Sequence, residues 1–487
     1  MWATPDDWYP SPTSIEQRHT EEAIHALFEP YVGTDARPLP TLRAHEHIAY
    51  LHRLLEPLPA PYITFDANRA WLVYWVAHAL DLLGQPLQGT NQARAISTLL
   101  HFQAPTGGFG GGPGQIGHLM STYAAVCALA IVGGPGAMPS AEDIAAGHSV
   151  DVGRGGWDAI DREAIYAWMM RLKQPDGSFL VHEHGEIDVR ASYCVLVIAM
   201  LLGIATEELI DGMGSFIASC QTYEGGFAAQ SAATYQSDGA RLVPSVSVSH
   251  QVPQGEAHGG YAFCALAAHT HLSLLGARYA EPIAMRPLLR WATSLQGTAM
   301  EGGGFRGRTN KLVDGCYGWF CGGGLMTALE ALVAQESSFH SPAPAPVVSS
   351  PASDASWQTV SDSAGGLELL DRDALRAYIL VAAQVPRTGG LRDKPGKRPD
   401  AYHTCYNLSG LSLCEHRLLP HAEAAQTALR AYDTLRSASQ HNDFQRQCYA
   451  TCLAWQGALD EALVAPTHPI FNISLPHVAR MVSFMYA

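Results

Sequence analysis

Residues 296–320 read QGTAMEGGGFRGRTNKLVDGCYGWF. A glutamine ends one apolar segment, glycines make a turn, a phenylalanine follows, and a polar strip leads into the next apolar segment. The frame occurs five times: Gln103 with Gly107-Gly108-Phe109, Gln174 with Gly177-Ser178-Phe179, Gln221 with Gly225-Gly226-Phe227, Gln296 with Gly303-Gly304-Phe305, and Gln384 with Gly389-Gly390-Leu391. Between the turns, apolar residues recur at helical spacing, as in Val73, Trp75, Val76, Ala79 and Leu80, or Leu375, Tyr378, Ile379 and Ala382. Almost no stretch alternates with period two, so the fold class is all-α. One unit is helix, glycine turn, helix. Such units cannot bury themselves singly and must stack into a solenoid or close into a ring. Either way the turns emerge at one rim, which brings residues 314, 316, 393 and 403 together in space.

Working outward, residues 1–40 are rich in proline and acid and read as an N-terminal arm suited to contacting a partner. Residues 41–487 read as one domain. Three stretches interrupt its period, at about 133–157, 228–254 and 336–366, and read as inserted loops, since the repeat resumes after each. Hydrophobic residues make up 47% of the 487 and charged ones only 15%, the composition of a core-rich folded chain. A formal net charge of −15 argues against nucleic acid and against an anionic membrane surface. The longest apolar run, 193–205, is too short to span a bilayer, so no integral membrane segment is expected. No basic region followed by an apolar one marks a signal peptide at the N-terminus. The ten cysteines are scattered, with Cys127, Cys194 and Cys264 inside apolar runs. That usage fits a reducing, cytoplasmic compartment, in which the Asn472-Ile-Ser474 sequon carries no meaning.

Lysine is scarce: Lys173, Lys311, Lys394 and Lys397 against twenty-six arginines, out of thirty basic residues. Three of the four sit in glycine-turn motifs, where a compact point charge suits phosphate oxygens. Asp314-Gly315-Cys316 offers two metal ligands on a turn, and His403 could be a third. Three mixed O, S and N ligands leave a tetrahedral position open, the arrangement of a catalytic zinc, at which an incoming thiol would lose its proton. By spacing alone the signal is weak, because a cysteine after glycine and a histidine in a helix are more often packing residues. His258, Arg308, Lys311, Lys394 and Lys397 form a cationic set, and Asp393 could hold a hard divalent ion. Aromatic residues, among them Trp71, Trp75, Tyr123, Tyr193, Tyr261, Tyr317, Trp319, Phe320, Tyr402 and Tyr406, recur just after the turns. In a ring they would line a central cavity suited to a long apolar ligand.

Together, GGFRGRTNKLVDGCYGWF (303–320), DKPGKRPDAYHTCYNLSGL (393–411), GEIDVRASYC (185–194) and EAHGGYAFC (256–264) resemble the β subunits of the protein prenyltransferases, most closely the farnesyl-transferring ones. Residues 107–115 and 66–83 extend the similarity, which covers about 60–480 apart from the insertions. The resemblance implies an α–α barrel (α/α toroid) and an obligate heterodimer with an α subunit of helical hairpins. It also implies a catalytic Zn²⁺ and transfer of a farnesyl group from farnesyl diphosphate to the thiol of a C-terminal CaaX motif on proteins such as small GTPases. By position it makes Asp314, Cys316 and His403 the zinc ligands. His258, Arg308, Lys311 and Tyr317 would hold the diphosphate, with Lys394 and Lys397 near it and Asp393 as a Mg²⁺ carboxylate. Lys311 and Tyr317 would also serve catalysis. Trp71, Trp75, Arg190, Tyr193, Tyr261, Phe320, Tyr402 and Tyr406 would contact lipid and peptide.

Trp71 and Tyr406 would block the cavity floor and limit the lipid to fifteen carbons. Relatives that transfer geranylgeranyl have a smaller residue at Trp71. Geranylgeranyltransferase type I is therefore the nearest alternative, and a non-catalytic helical-ring binding module a more distant one. A triterpene cyclase is disfavoured by the lack of a DxDD motif. The chain departs from the resemblance at Gly318-Trp319-Phe320, where Phe then Trp is usual, and in its three insertions.

Overall fold

Helices apolar on every side alternate along this chain with helices apolar on one side. The computed structural model describes residues 10–33, 36–137, 140, 155–231, 235–238, 241–244, 253–339, 368–436, 442–457 and 462–487. An arm helix α1 (Pro12–Phe28) precedes six outer-inner pairs. The outer helices are α2 (Ala44–Arg53), α4 (Gly89–Leu100), α6 (Arg162–Leu172), α8 (Met213–Ser219), α10 (Met285–Thr293) and α12, which is Arg372–Tyr378 continued by a π-helical turn at Ile379–Ala383. The inner helices are α3 (Arg69–Leu82), α5 (Leu119–Val132), α7 (Val189–Leu202), α9 (Gly259–Leu275), α11 and α13 (Ala401–Glu415). Helix α11 starts π-helical at Gly318–Leu325 and continues over Met326–Phe339.

Burial separates the two sets as the sequence dictates. In α7 every residue except Arg190 is buried, and in α5 every residue except Met120. Outer helix α10 buries only Leu288, Trp291 and Ala292. Each inner helix packs on the next, and α13 returns to α3, so the ring closes. The solenoid alternative is thereby excluded, and the fold is an all-α toroid, as expected.

The glycine turns bind neighbouring units. Each repeat closes an antiparallel bridge: Gln103 with Phe109, Lys173 with Phe179, Gln221 with Phe227, Gln296 with Phe305, Gln384 with Leu391. The repeated glutamine has a role that its sequence does not announce. Gln296 donates to the Asp371 carbonyl and accepts from the Asp371 N–H, both at 2.9 Å, and Asp371 is the N-cap of the next outer helix. Gln103 does the same to Asp161, and Gln221 to Ala284. Gln384 accepts from Arg43 N–H at 2.8 Å and donates to the Thr41 carbonyl, fastening the end of the ring to its beginning. Gln174 departs from the pattern, bonding the Leu172 carbonyl instead.

A second set of stitches joins the inner rim. Arg69 N–H donates to Gly111, Leu119 to Val181, Val189 to Ala229, Gly259 to Gly307 and Gly315 to Asp393. Five inner helices thus start at the same rim, and α13 joins them there through His403 beside Asp314, so their positive N-terminal ends converge.

The other end is plugged. Beyond α14 (Ala422–Leu435) and α15 (Asp443–Leu453), a loop buries Ile470, Phe471 and Ile473 completely before α16 (Leu475–Met485). Three inner-helix tyrosines satisfy its carbonyls: Tyr193 to Ile470 at 2.6 Å, Tyr123 to Phe471 at 3.0 Å, Tyr74 to Asn472 at 2.7 Å. The sequon asparagine is therefore core, out of reach of any glycosylation.

Arm helix α1 lies on the turn before Gly303: Gln17 bonds Glu301 at 3.0 Å and Phe28 covers Gly302. The insertion at 133–157 is closed at its foot by a Gly134–Gly156 bridge, and that at 228–254 by Gln230–Gln254 and Ser231–Pro253 pairs. Within the latter, 235–238 pairs with 241–244 as a hairpin. Residues 336–339, read from sequence as the start of the third insertion, instead continue α11 to Phe339. The rest of that insertion, 340–366, lies outside the described residues.

The close approach of turn to helix sets a stability test. A Cβ at Gly225 (φ +110°) would fall 2.2 Å from the Pro287 carbonyl, whereas Gly114 (φ +73°) has nothing within 4 Å. Gly114→Ala is expected to cost about 1–2 kcal/mol of left-handed strain. Gly225→Ala is expected to cost about 3 kcal/mol or more, since a clash with backbone is added. Denaturant midpoints of the two variants would check the difference.

Candidate active site

The rim gathers what the sequence scattered. Asp314, Cys316 and His403 present one ligand atom each, all within 4.8 Å of one another. His403 Nε2 stands 3.2 Å from Asp314 Oδ1, and its Nδ1 is 2.7 Å from Asp400 Oδ2. Local folding explains the placement. Asp314 Oδ1 accepts the Cys316 N–H at 2.9 Å, and Asp400, the N-cap of α13, accepts the His403 N–H at 2.8 Å. The capping bonds aim both ligand-bearing segments at one point. Asp400 also fixes the imidazole, the carboxylate–histidine support usual behind a metal-bound histidine. The donor set of one carboxylate, one thiol and one imidazole fits Zn²⁺ with a fourth position left for another ligand.

Without metal the triad is an ion pair. Burial works against a charged His403, but the Asp314 and Asp400 carboxylates outweigh it and push its pKa up to about 10. Burial and the Asp314 charge raise the Cys316 thiol well above its ordinary value. Burial also opposes ionisation of Asp314, yet the hydrogen bond from His403 holds its pKa below the usual value.

His258 caps α9, its Nδ1 accepting the Gly260 N–H at 3.0 Å. Its proton must then reside on Nε2, which donates to Tyr317 Oη at 3.1 Å. Burial and the nearby Arg308 lower the His258 pKa to about 4, so the ring stays neutral. Tyr317, its own pKa raised by burial and by Cys316, keeps a hydroxyl proton free to donate toward the cavity.

Arg308 is ion-paired with Glu256 across the same rim. Lys394 Nζ reaches both oxygens of Asp393 at 2.6 Å, so any Mg²⁺ at Asp393 competes with an ammonium already in place. Burial and the Asp314 charge raise the Asp393 pKa. Lys311 and Lys397 stand exposed on their turns.

Below the triad opens a cavity of about 500 Å³, lined by Trp71, Trp75, Arg190, Tyr193, His258, Tyr261, Tyr317, Phe320, Tyr402 and Tyr406 among others. The triad residues do not line it themselves; Tyr317 and Tyr402, adjacent in sequence to Cys316 and His403, do. The lining rings make a closed circuit, each inner helix contributing. Trp71 meets Tyr123 at 5.6 Å between centroids, Tyr123 meets Tyr193 at 5.4 Å, and Tyr193 meets Phe263 at 5.4 Å. Phe263 meets Phe320 at 5.9 Å and Phe320 meets Tyr406 at 4.6 Å. Tyr406 meets Tyr402 at 4.8 Å, Tyr402 meets Trp75 at 5.4 Å, and Trp75 returns to Trp71 at 5.6 Å. Arg190, held by Asp188 at 2.6 Å, lies over the Tyr261 ring. In the redrawn Gly-Trp-Phe segment, Phe320 packs on Tyr406 with the two rings tilted by 38°, while Trp319 is buried against Phe263.

Trp71 and Tyr406 do border the cavity, but the barrel beneath is sealed by the 470–472 carbonyls and their three tyrosines. Sequence reading missed that plug, and it gave no role to Asp400 or Phe263. The cap spacing Asp400-x-x-His403 was the available signal for Asp400; the plug has no local one.

A family model described as the prenyltransferase α–α toroid domain matches residues 42–473. The chain is 37% identical to the protein farnesyltransferase subunit beta of Pisum sativum, over 72% of this chain and 78% of that one. It is 34% identical to its counterpart in Schizosaccharomyces pombe, over 82% and 84%. Identity to the geranylgeranyl transferase type-1 subunit beta of Arabidopsis thaliana is 25%, over 83% and 93%. A Candida albicans protein geranylgeranyltransferase-I structure complexed with GGPP superimposes with a TM-score of 0.56 at 17% identity, covering 92% of this chain and all of that one. The last likeness confirms the fold. The chain belongs to the prenyltransferase α–α toroid family. Within it, the chain is a member of the protein farnesyltransferase β-subunit group, with geranylgeranyl-transferring relatives weaker matches.

The protonation states predict how metal is taken up. Any Zn²⁺ taken up by the triad would have to displace protons from His403 and Cys316, both held above neutral pH. Affinity of the metal-free protein should rise from pH 6 to pH 8 by roughly tenfold per unit for each proton displaced. Calorimetry in buffers of different ionisation enthalpy would count the protons released. Among the described residues no helix is long and apolar enough to cross a membrane.

Proposed function

We propose that this chain, paired with a prenyltransferase α subunit in the cytoplasm, transfers farnesyl from farnesyl diphosphate to the cysteine of a CaaX-terminated protein such as a small GTPase. The observation that carries the reading is the closed aromatic circuit ending beneath Asp314, Cys316 and His403: an apolar chamber with a metal-ligand set at its mouth. Residues 41–487 form the catalytic domain, and the arm of residues 1–40 offers a contact for the partner.

Asp314, Cys316 and His403 would hold Zn²⁺, which when bound lowers the pKa of a thiol entering its open position. Asp400 keeps His403 Nδ1 protonated, so that Nε2 is the nitrogen turned to the metal. The aromatic circuit takes up the isoprenoid, excluding water from around C1. At the rim, Tyr317, oriented by neutral His258, donates its hydroxyl proton to a diphosphate oxygen. Arg308, Lys311, Lys394 and Lys397 supply positive charge, reinforced by the converging N-termini of the inner helices. As the C1–O bond breaks, charge grows on the departing diphosphate, and these donors stabilise that state more than the ground state. Mg²⁺ at Asp393 would add to the same field. Trp71 and Tyr406 on the wall favour a fifteen-carbon lipid, and Trp75, Arg190, Tyr193, Tyr261, Phe320 and Tyr402 shape the space shared by lipid and acceptor peptide.

Co-expression with an α subunit, metal analysis, and transfer of labelled farnesyl to a CaaX peptide test the reading directly. Cys316→Ala should abolish tight zinc binding and turnover. Tyr317→Phe should lower kcat about 10- to 100-fold with little change in KM for the peptide, as expected for a donor acting on the leaving group. Trp71→Ala should shift a competition between farnesyl and geranylgeranyl diphosphate toward the longer lipid.

A further inference from the structure

Asn407 lies one turn beyond His403 in α13 and is fully buried. Its Nδ2 donates to the His403 carbonyl at 2.8 Å and to the Arg392 carbonyl at 3.2 Å. These two bonds fix the orientation of the amide and leave its Oδ1 buried with no hydrogen-bond partner. An unsatisfied buried acceptor costs about 1–3 kcal/mol, so an apolar side chain of similar size would serve packing better. The amide donor therefore has a use that repays its oxygen.

That use is visible in what converges around it. A Cβ on Gly315 would fall 2.5 Å from Asn407 Nδ2 and 2.7 Å from both Asn407 Oδ1 and the Arg392 carbonyl. The residue between Asp314 and Cys316 is thus pressed directly against the amide. The Gly315 N–H donates at 2.7 Å to the carbonyl of Asp393, next after Arg392. That same carbonyl accepts from Tyr378 Oη at 2.9 Å, and Tyr378 is a fully buried residue of α12. One amide hence touches the helix carrying His403, the turn carrying Asp314 and Cys316, and the 392–393 segment that joins them.

We propose that Asn407 is a positioning residue for the metal centre: it sets the spacing between the α13 ligand and the Asp-Gly-Cys turn. The inference rests on the zinc reading above. It predicts that removing the Nδ2 donor lets the two ligand-bearing segments drift, weakening metal binding without altering the lipid cavity.

The test uses the full chain purified with its α partner, comparing wild type, Asn407→Leu, Asn407→Ala and Cys316→Ala. Zn²⁺ affinity is measured against a chromophoric chelator, and the Co²⁺-loaded proteins are compared by visible and near-ultraviolet absorption. Wild type should show a thiolate-to-cobalt band, absent in Cys316→Ala. Both Asn407 variants should lose about 10- to 100-fold in Zn²⁺ affinity. Their cobalt d–d bands should shift, and kcat should fall with KM for farnesyl diphosphate within twofold of wild type. Asn407→Ala, a good helix former, keeps the test open should the leucine variant fail to fold. Wild-type affinity and a superimposable cobalt spectrum in either folded variant would overturn the assignment, even if its melting temperature in chelator were lowered. No thiolate band in wild type would overturn the zinc reading, and this proposal with it.

Discussion

A helix apolar around its whole circumference must be enclosed, and this chain makes six of them among its described residues. Two neighbours cover two sides, an outer helix covers the third, and the fourth faces inward. Only a ring treats all six alike, and only closure leaves none at an edge. The glutamine staples and rim stitches follow from that constraint. They cross from each unit to the next, using the backbone groups left over where helices begin. Because the stitches recur at the N-terminal ends of five of the six inner helices, the rim is where side chains can be capped into place. The metal-ligand set and the neutral histidine are built from those caps.

Much of this was legible. The Gln-to-Gly-Phe frame recurs because the same turn is made five times, each with its left-handed glycine wedged against a neighbouring outer helix. The rim location of Asp314, Cys316 and His403 followed from the repeat, and their chemistry from residue type. The choice of a ring over an open solenoid did not follow from the repeat, since both have the same local period; it came only with the family resemblance. It depends on contacts such as Gln384 to Arg43, 341 residues apart. The plug was illegible for the same reason. Residues 468–474 have neither helical nor strand periodicity, because their partners are phenol groups on three separate helices. The helical continuation through Phe339 was read as loop because it was grouped with the proline- and serine-rich stretch that follows it.

The site also separates two jobs that sequence alone merges. Arg308, Lys394 and the triad histidine are all cationic, yet each is already matched by a carboxylate: Glu256, Asp393, and the pair Asp314 and Asp400. Pairing lessens the mutual repulsion of these cations when no ligand is bound. Tyr317 contributes differently. Its hydroxyl is neutral, supported by an imidazole held uncharged, and so costs little to keep beside an apolar chamber.

The seal at the closed end bears on biosynthesis. Tyr74 and Asn472, whose bond helps stop the tube, are separated by 398 positions. Until a ribosome has delivered both, every earlier helix is present but the chamber drains at each end, with its rings exposed to water. Intermediates of such high contact order fold slowly and adhere to one another. A nascent chain of this architecture is thus a natural client for chaperones that shield aromatic surface. Its apolar chamber is closed late, only once residue 472 has been made.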